Sequence, residues 1–159
     1  MPSTSAGLLL YRTTDRILEV LLGHPGGPYF ARKDLGVWSI PKGEFDTEDP
    51  LRAAIREFEE ETGYTIDGGF IALNAVKSRG GKLVYAWAVA ADVDAAHITS
   101  NTFTLEFPPR SGKIQKYPEI DRAEWFAINI ARQKILAYQL PLIDEFTAML
   151  TTGVKKARP

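Results

Sequence analysis

The chain has 159 residues, a formal net charge of −1 at pH 7, and shares of apolar and charged side chains that are ordinary for a globular protein. Its length suits one domain with a substantial core, and its balanced charge gives no basic field that would attract nucleic acid. The absence of cysteine excludes disulfides and thiolate metal sites.

We therefore expect a single domain over residues 1–159 that is a monomer or a homodimer and has no nucleic-acid partner. The apolar run at residues 7–11 is interrupted by Arg12 and is far too short to span a membrane. Since the N-terminus also lacks the organisation of a signal peptide, we expect a cytoplasmic protein with no membrane partner.

The N-terminal part of the chain predicts short strands separated by loops. Residues 5–11 and 17–22 are apolar runs on either side of a polar turn, which favours a hairpin. Gly and Pro at residues 25–28 indicate a loop, and His24 is interpreted as part of it. Residues 37–40 read as another short strand.

An aromatic pair, Tyr29 and Phe30, lies shortly before Lys33 in this loop region. Aromatic rings stack on nucleobases and a nearby ammonium contacts phosphate, so all three residues are candidate substrate contacts. The alternative is that both rings only anchor the loop on the core, and the two interpretations carry equal weight.

The central predicted element is a helix from Pro50 to about Thr62. Asp49 is a favoured cap residue, and Pro50 suits the first helical position because its missing N–H would have no helical partner there. Gly63 ends the helix, since glycine adopts the left-handed cap conformation without a steric clash. The residues between them predict about three and a half turns.

Glu57, Glu60 and Glu61 share one face of this helix, because residues three and four apart are neighbours. They lie near the negative end of the helix dipole, where carboxylates are unfavourable unless a cation compensates them. Arg56 supplies part of that charge by pairing with Glu60, and a divalent cation such as Mg²⁺ or Mn²⁺ would supply more. The alternative is an amphipathic helix whose acidic face is merely solvated.

This helix and the loop before it resemble the signature of the Nudix hydrolases. The matching positions are Gly43, Glu48, Arg56, Glu57, Phe58, Glu60, Glu61, Gly63 and Tyr64. A Trp-x-x-Pro-Lys-Gly-like segment that begins at Trp38 extends the resemblance upstream. The chain departs from the family pattern in one place, since four residues separate Gly43 from Glu48 where the family has five. We expect the loop at residues 45–47 to absorb the difference and to keep Glu48 beside Arg56.

The resemblance implies an α+β fold, namely a Nudix-like α/β/α sandwich with a mixed β-sheet. It also implies Mg²⁺ (or Mn²⁺) as the cofactor, held by side chains and one main-chain carbonyl: Glu57, Glu60, Glu61 and Gly43. Arg56 would orient the glutamates, and Glu48 would pair with Arg56 or with a water on the metal. The general base is left open between Glu57, Glu60 and a later acid, and Lys42 would lie close to the substrate phosphates.

Downstream of the helix, residues 64–76 predict one or two strands, and the basic stretch at 77–82 predicts a solvated hairpin turn. Residues 83–90 have the pattern of a strand with Tyr85 and Trp87 on one face. Tyr85 is a candidate substrate contact.

Residues 101–107 and 114–117 read as a strand pair joined by a turn. The segment after them carries acids ahead of an aromatic pair, and in Nudix proteins such a segment often lies near the metal site. The resemblance therefore makes three acids candidates for a further metal ligand or the base: Glu119, Asp121 and Glu124. Taken singly, each is also interpretable as a surface carboxylate.

Two helices are predicted to close the chain. One covers residues 130–136 with Asn129 as its cap, and the other runs from Pro141 to near Gly153. Their apolar residues recur at helical spacing, which indicates core packing rather than contact with a cofactor.

The resemblance implies hydrolysis of a phosphoanhydride bond in a nucleoside diphosphate linked to another group, with a nucleotide as the small-molecule partner. The Trp-Ser-Ile-Pro-Lys-Gly-Glu lead-in and the small size favour a dinucleoside polyphosphate such as diadenosine tetraphosphate. Nucleoside triphosphates, damaged ones included, are the second candidate, and nucleotide sugars are the third. A binding module that senses a nucleotide without cleaving it is a further class, although the retained signature glutamates favour an enzyme.

Overall fold

The computed structural model describes residues 3–151. Within them the strands are β1 (Thr4–Thr14), β2 (Ile17–Pro25), β3 (Lys42–Phe45), β4 (Ile71–Ala72), β5 (Val76–Lys77), β6 (Leu83–Ala90), β7 (Thr102–Glu106), β8 (Ile114–Pro118) and β9 (Ile120–Ala127). The helices are α1 (Pro50–Thr62), α2 (Ile128–Lys134) and α3 (Leu140–Thr151), with a single helical turn at Ala137–Gln139.

β1 is the middle strand of a seven-stranded mixed sheet. It pairs in parallel with β6, and it pairs in antiparallel fashion with β3 near its beginning and with β2 near its end. β2 pairs in turn with β9, while β4 and β5 pair with β6. The short β3 is thereby held at the start of β1, just before the chain enters α1.

Alternating side chains of β1 contribute to a core on both faces of the sheet. Leu8 and Leu10 pack in one cluster with Phe58 of α1, whereas Leu9 packs in a second cluster with Phe146 of α3. All five side chains are fully or almost fully buried. The architecture is the α+β sandwich with a mixed sheet that the family resemblance implies.

α1 begins and ends where the sequence predicts. The Asp49 carboxylate accepts a hydrogen bond from the Arg52 main-chain N–H, and Pro50 is the first helical residue. Gly63 ends the helix with a φ of 88°, a left-handed conformation that glycine adopts without strain. These two ends set the phase of the helix, and the phase decides which glutamates face β3.

Residues 37–40 do not form the predicted strand. Trp38 makes a single parallel bridge to Ile135, and Ser39 makes a single antiparallel bridge to Gly23. Because these neighbouring residues pair with two different segments, no continuous ladder develops. The strand that leads into the helix is β3, which begins at Lys42.

α2 begins at Ile128, with Ala127 at the cap position and no side-chain hydrogen bond there. The prediction that Asn129 caps this helix is therefore wrong, because β9 runs directly into α2 without a loop. The predicted end of the last helix near Gly153 lies outside the described residues. Among residues 3–151, no helix has the length and apolar character needed to cross a membrane.

β7 and β8 form a two-stranded hairpin outside the main sheet. Phe103 of β7 packs over Gly27, and Phe107 meets the ring of Tyr29 edge-on with 5.5 Å between the ring centroids. The hairpin therefore lies against the loop that follows β2.

Candidate active site

A polar cavity of about 300 Å³ lies where the end of α1, β3 and the base of the hairpin meet. Its wall combines carboxylates with cationic and neutral hydrogen-bond donors. The lining residues are Ser5, Lys42, Gly43, Glu44, Glu57, Glu61, Lys82, Asn101 and Glu119. The cavity thus collects the signature glutamates of α1 together with residues from distant parts of the chain.

Gly43 of β3 makes room for the carboxylate of Glu57. A Cβ atom at residue 43 would lie 1.7 Å from Glu57 Oε1 and 2.2 Å from the carboxyl carbon. Glu57 is only 8% exposed, and burial raises the pKa of its carboxyl, although the hydrogen bond from Arg56 opposes the rise. The carboxylate therefore packs directly on the main chain of β3.

Glu61 lies one turn further along α1 and is 6% exposed. Its Oε1 accepts a hydrogen bond from the Lys42 main-chain N–H at 3.2 Å. Burial raises the pKa of the Glu61 carboxyl to about 8; the positive charge of Lys42 opposes the rise, and the negative charges of Glu57 and Glu119 add to it. Near neutral pH the carboxyl therefore keeps its proton unless a cation enters the cavity.

In the metal-free protein, Glu61 is expected to lower stability as pH rises from about 4.5 to about 8. Below this window the carboxyl is protonated in both the folded and the unfolded chain, whereas within it only the unfolded chain ionises readily. Glu61→Gln removes that cost, so in EDTA its melting temperature is expected to exceed that of the unmodified protein by several degrees at about pH 8.

Thermal unfolding followed by circular dichroism measures this difference. The two melting temperatures are expected to converge toward about pH 5, where Glu61 is protonated in the folded protein as well. A difference that stays constant across the pH range would contradict the assignment of Glu61 as a buried, protonated carboxyl.

Arg56 ties three glutamates together. Its guanidinium donates to Glu48 from Nε at 3.1 Å and from Nη2 at 2.5 Å, and its Nη1 donates to Glu57 at 2.7 Å and to Glu60 at 2.9 Å. Glu48 above all holds the pKa of Arg56 above its ordinary value. Glu48 therefore lies beside Arg56, as the sequence predicts for the shorter loop.

Glu60 is exposed and pairs with Arg56 instead of lining the cavity. The cavity therefore brings together Glu57, Glu61 and Gly43 from the predicted metal ligands. Within residues 3–151, no three His, Cys, Asp or Glu side chains converge closely enough to form a complete metal site. A cation held here would take its remaining ligands from water, from main-chain oxygen or from substrate, and the role of Glu60 as a ligand stays a prediction.

The cavity has the chemistry that a hard divalent cation requires. Two buried carboxylates and main-chain carbonyl oxygen are ligands that Mg²⁺ and Mn²⁺ prefer. The close packing of Glu57 on Gly43, where a Cβ would overlap the carboxylate, brings a side-chain oxygen and the β3 main chain together. Burial is the main cause of the raised pKa of Glu61, and a cation that enters the cavity would favour the ionised carboxylate. Glu57, Glu61 and Gly43 therefore fit a divalent cation.

Replacing Gly43 by alanine is expected to keep the fold and to impair the site. The added Cβ would overlap the Glu57 carboxylate, which is the movable end of a side chain, so the carboxylate gives way rather than the backbone. We expect the affinity for Mn²⁺ to fall about ten- to a hundredfold, as when the support of a metal ligand is disturbed. Titration calorimetry with Mn²⁺ measures the change.

The matched control is Gly69→Ala, because an added Cβ at residue 69 meets nothing within 4 Å. Its affinity for Mn²⁺ is expected to equal that of the unmodified protein. If Gly43→Ala also binds Mn²⁺ normally, the close packing of Glu57 on β3 does not matter for the cation.

Of the three later acids, Glu119 reaches the cavity and the other two do not. Asp121 is instead hydrogen-bonded to His24, with 2.8 Å between Oδ1 and Nδ1, and Glu124 lies 3.6 Å from a neighbouring arginine at the surface. His24 is fully buried, and its Nε2 donates to the Lys33 carbonyl at 2.7 Å. His24 therefore braces the loop after β2, which the interpretation as an ordinary loop residue did not foresee.

A second cavity, of about 210 Å³, adjoins the polar one. The two cavities share Lys42, Glu61 and Glu119. The rest of its wall is largely apolar and consists of Gly23, Pro25, Phe30, Val37, Ser39, Ile40, Ile120 and Leu136. Two of the predicted substrate contacts, Lys42 and Phe30, therefore line one continuous groove.

The other predicted substrate contacts lie outside both cavities. Tyr29 is half exposed and packs edge-on against a ring of the hairpin. Lys33 lies over the ring of Phe30, with Nζ 5.6 Å from the centroid. Tyr85 is partly buried and packs beside Phe45 against the core cluster of α1, at 6.3 Å between ring centroids. A contact of these three residues with substrate stays a prediction.

The sequence interpretation missed Ser5 and Asn101, which both line the polar cavity. Neither belongs to the signature, and each is an ordinary polar residue in or beside a strand, so no local pattern marks it. Lys82 also lines the cavity, from a turn that the sequence favours as solvated, and its Nζ donates to Glu44 at 2.9 Å.

Comparison with known proteins relates most of the chain to one family. A family model described as the NUDIX domain matches residues 1–146. No curated protein matches the sequence.

Solved structures that resemble the chain include a C. elegans Ap4A hydrolase, with a TM-score of 0.63, 24% identity and coverage of 94% of this chain and 98% of that chain. The NUDIX domain of Shewanella oneidensis NrtR complexed with ADP ribose has a TM-score of 0.65, 17% identity and coverage of 94% and 89%. A mutT/nudix family protein from Listeria innocua has a TM-score of 0.61, 19% identity and coverage of 97% and 98%. At these identities the likeness shows a common fold.

Proposed function

The chain belongs to the NUDIX domain family, and on that premise we propose that it is a pyrophosphohydrolase that cleaves a nucleoside diphosphate linked to another group. We propose a dinucleoside polyphosphate such as diadenosine tetraphosphate as its preferred substrate, and Mg²⁺ or Mn²⁺ as its cofactor. One observation carries the proposal: an acidic polar cavity and a largely apolar cavity adjoin and share Lys42, Glu61 and Glu119.

The apolar cavity suits a nucleobase, because Phe30, Ile40 and Leu136 offer aromatic and aliphatic contact area. A base bound there would direct its phosphates toward the shared wall and into the polar cavity. The ammonium of Lys42 at this junction would meet the phosphates, and the second nucleoside would lie beyond the polar cavity. The similarity to a C. elegans Ap4A hydrolase supports this substrate class.

The protein side chains divide the work between holding charge and moving a proton. A bound divalent cation supplies neutralisation of phosphate charge and a lowered pKa for its water. Glu57 and Glu61 would hold it, and Arg56 keeps the Glu57 carboxylate in place through a 2.7 Å hydrogen bond. Glu48 in turn holds Arg56 in position through a hydrogen bond. Glu48 would therefore affect the reaction indirectly, by orienting Arg56 and with it the Glu57 carboxylate.

Glu119 is our candidate for the general base. It lines both cavities and is exposed to solvent, so a water molecule between it and the phosphates is within its reach. Glu57 is less suited to this role because it is buried and engaged by Arg56, and Glu60 is less suited because it does not line either cavity.

Nucleoside triphosphates, damaged ones included, are the second candidate substrates. The observation that favours them is the size of the apolar cavity, because about 210 Å³ suits a single base. The similarity to a mutT/nudix family protein from Listeria innocua is consistent with this choice. Sensing without cleavage is the remaining alternative, and the retained Glu57, Glu60 and Glu61 argue against it.

Turnover of a nucleotide panel with Mg²⁺ tests the proposal. The panel contains diadenosine tetraphosphate, ATP, an oxidised guanosine triphosphate, ADP-ribose and a nucleotide sugar, and anion-exchange chromatography identifies the products. The highest kcat/KM for diadenosine tetraphosphate, with ATP and AMP released, is the expected result. A preference for a triphosphate would establish the second candidate, and tight binding of a nucleotide without any product would overturn hydrolysis.

A further inference from the structure

Asn101 joins the end of α1 to the segment that carries Glu119. Its main-chain N–H donates to the Glu60 carbonyl at 2.7 Å, and its own carbonyl accepts from the Glu119 N–H at 2.9 Å and from Ser100 Oγ at 2.8 Å. Both main-chain groups of Asn101 are therefore used, one on each side of the cavity. The backbone of Asn101 is thereby fixed, and its side chain takes no part in these main-chain hydrogen bonds.

Asn101 is exposed to solvent and lines the polar cavity together with Glu57, Glu61 and Glu119. The only side-chain hydrogen bond of Asn101 within residues 3–151 is a long one, 3.5 Å from Ser100 Oγ to Oδ1. The amide N–H groups therefore have no hydrogen-bond partner in the described part of the chain. The end of α1 and the base of the β7–β8 hairpin therefore hold an uncharged hydrogen-bond donor, the Asn101 amide, where the phosphates of the proposed substrate would lie.

Two other donors of the cavity are already engaged, whereas the buried Ser5 hydroxyl has no hydrogen-bond partner within residues 3–151. Lys82 is engaged with Glu44 at 2.9 Å, and the Lys42 main-chain N–H is engaged with Glu61 at 3.2 Å. A neutral amide can donate to a phosphate oxygen without first breaking an ion pair, and it does not draw the carboxylates away from a bound cation. Hydrogen bonds to charged groups are also the stronger ones.

We propose that Asn101 is a substrate-binding residue whose amide N–H donates to a non-bridging oxygen of the substrate diphosphate. Its main chain at the same time keeps Glu119 in register with Glu61 across the cavity. The inference rests on the proposed function for the identity of the ligand, a nucleoside diphosphate group, and goes beyond it by assigning a phosphate contact outside the signature.

Binding of a methylene-bridged adenosine diphosphate, which cannot be hydrolysed at the bridge, tests this in the presence of Mg²⁺. Titration calorimetry of Asn101→Ala is expected to give a Kd about tenfold or more above that of the unmodified protein, because a hydrogen bond to a charged group is lost. Asn101→Asp is expected to bind more weakly still, because a carboxylate of the same shape repels phosphate. In the nucleotide assay the same variants are expected to raise KM more than they lower kcat.

The matched control is Thr102→Ala, an exposed neighbour that does not line the cavity. It is expected to bind the analogue normally, and all three variants are expected to melt within about one or two degrees of the unmodified protein, as for surface substitutions. If Asn101 served only as a structural joint, the isosteric Asn101→Asp would bind the analogue like the unmodified protein, and that result would overturn the inference.

An unchanged Kd in Asn101→Ala would overturn it as well. The outcomes for Asn101 and for the proposed function are separable because binding does not require turnover. An unmodified protein that binds the analogue through Asn101 but releases no product would overturn hydrolysis and support the contact. An unmodified protein that fails to bind the analogue at millimolar concentration but turns over a nucleotide of the panel would overturn the contact and leave hydrolysis standing.

Discussion

Glu57→Gln and Glu61→Gln are each expected to lower kcat by about a hundredfold or more, because disturbing only the support of a metal ligand already costs about ten- to a hundredfold. Both side chains are buried in the polar cavity, and glutamine keeps their shape while it removes the charge that holds a cation. Steady-state turnover of the best nucleotide substrate with Mg²⁺ measures the loss.

Unfolding cannot account for such a loss, since Glu61→Gln is expected to melt at a higher temperature than the unmodified protein at about pH 8. The control is Glu59→Gln, which changes an exposed residue of the same helix by the same chemistry and does not line either cavity. Normal turnover in Glu57→Gln and Glu61→Gln would mean that the acidic face of α1 has only a structural role.

Removal of divalent metal by EDTA is expected to abolish turnover, and Mg²⁺ or Mn²⁺ is expected to restore it. The carboxylates of the cavity repel a polyanionic substrate, and Lys42 and Lys82 are the lysines that oppose them there. A cation reverses this balance and supplies an activated water. Because Glu61 must lose its proton to bind a cation, the metal concentration for half-maximal activity is expected to fall as pH rises toward about 8.

The control is EDTA added together with an excess of Mg²⁺, so that the chelator is present while the metal is not removed. Dialysis of the EDTA-treated protein followed by titration of each metal gives the restoring concentration. Turnover that continues unchanged in the dialysed, chelated protein would refute a metal-dependent mechanism.

The sequence predicts α1 and its orientation well, because its determinants are local. Asp49, Pro50 and Gly63 set the ends of the helix by side-chain and backbone chemistry that needs no tertiary partner. The pairing of Glu48 with Arg56 also follows from the sequence, since residues one short loop and two helical turns apart have few alternative arrangements. The family resemblance then assigned chemistry to this face.

The packing around α1 depends on tertiary contacts that no local sequence pattern reveals. Trp38 and Ser39 pair with two separate segments, so a strand pattern there did not become a strand. His24 is fully buried, and its ring nitrogens are hydrogen-bonded to the Lys33 carbonyl and to Asp121, which lies far along the chain. Contacts between residues far apart in the chain produce no periodic pattern of apolar residues in the local sequence.

The same reason explains which site residues the sequence identifies. Glu57 and Glu61 lie on one helix, and their spacing places them on one face. Asn101 and Glu119 reach the cavity through the hairpin between them, whose position against Tyr29 and Gly27 is set by tertiary packing. Glu119 entered as one of three equivalent acids, and the structure singles it out through its place in the wall of both cavities.

The most direct test of the metal-dependent site is the anomalous scattering of Mn²⁺ in crystals grown with the metal and the methylene-bridged nucleotide. We predict a peak at about 2.1 Å from carboxylate oxygens of Glu57 and Glu61, with phosphate oxygens of the nucleotide on its other side. A well-occupied nucleotide with no peak at these carboxylates, or with its Mn²⁺ bound elsewhere on the chain, would contradict the assignment of this cavity as the active site.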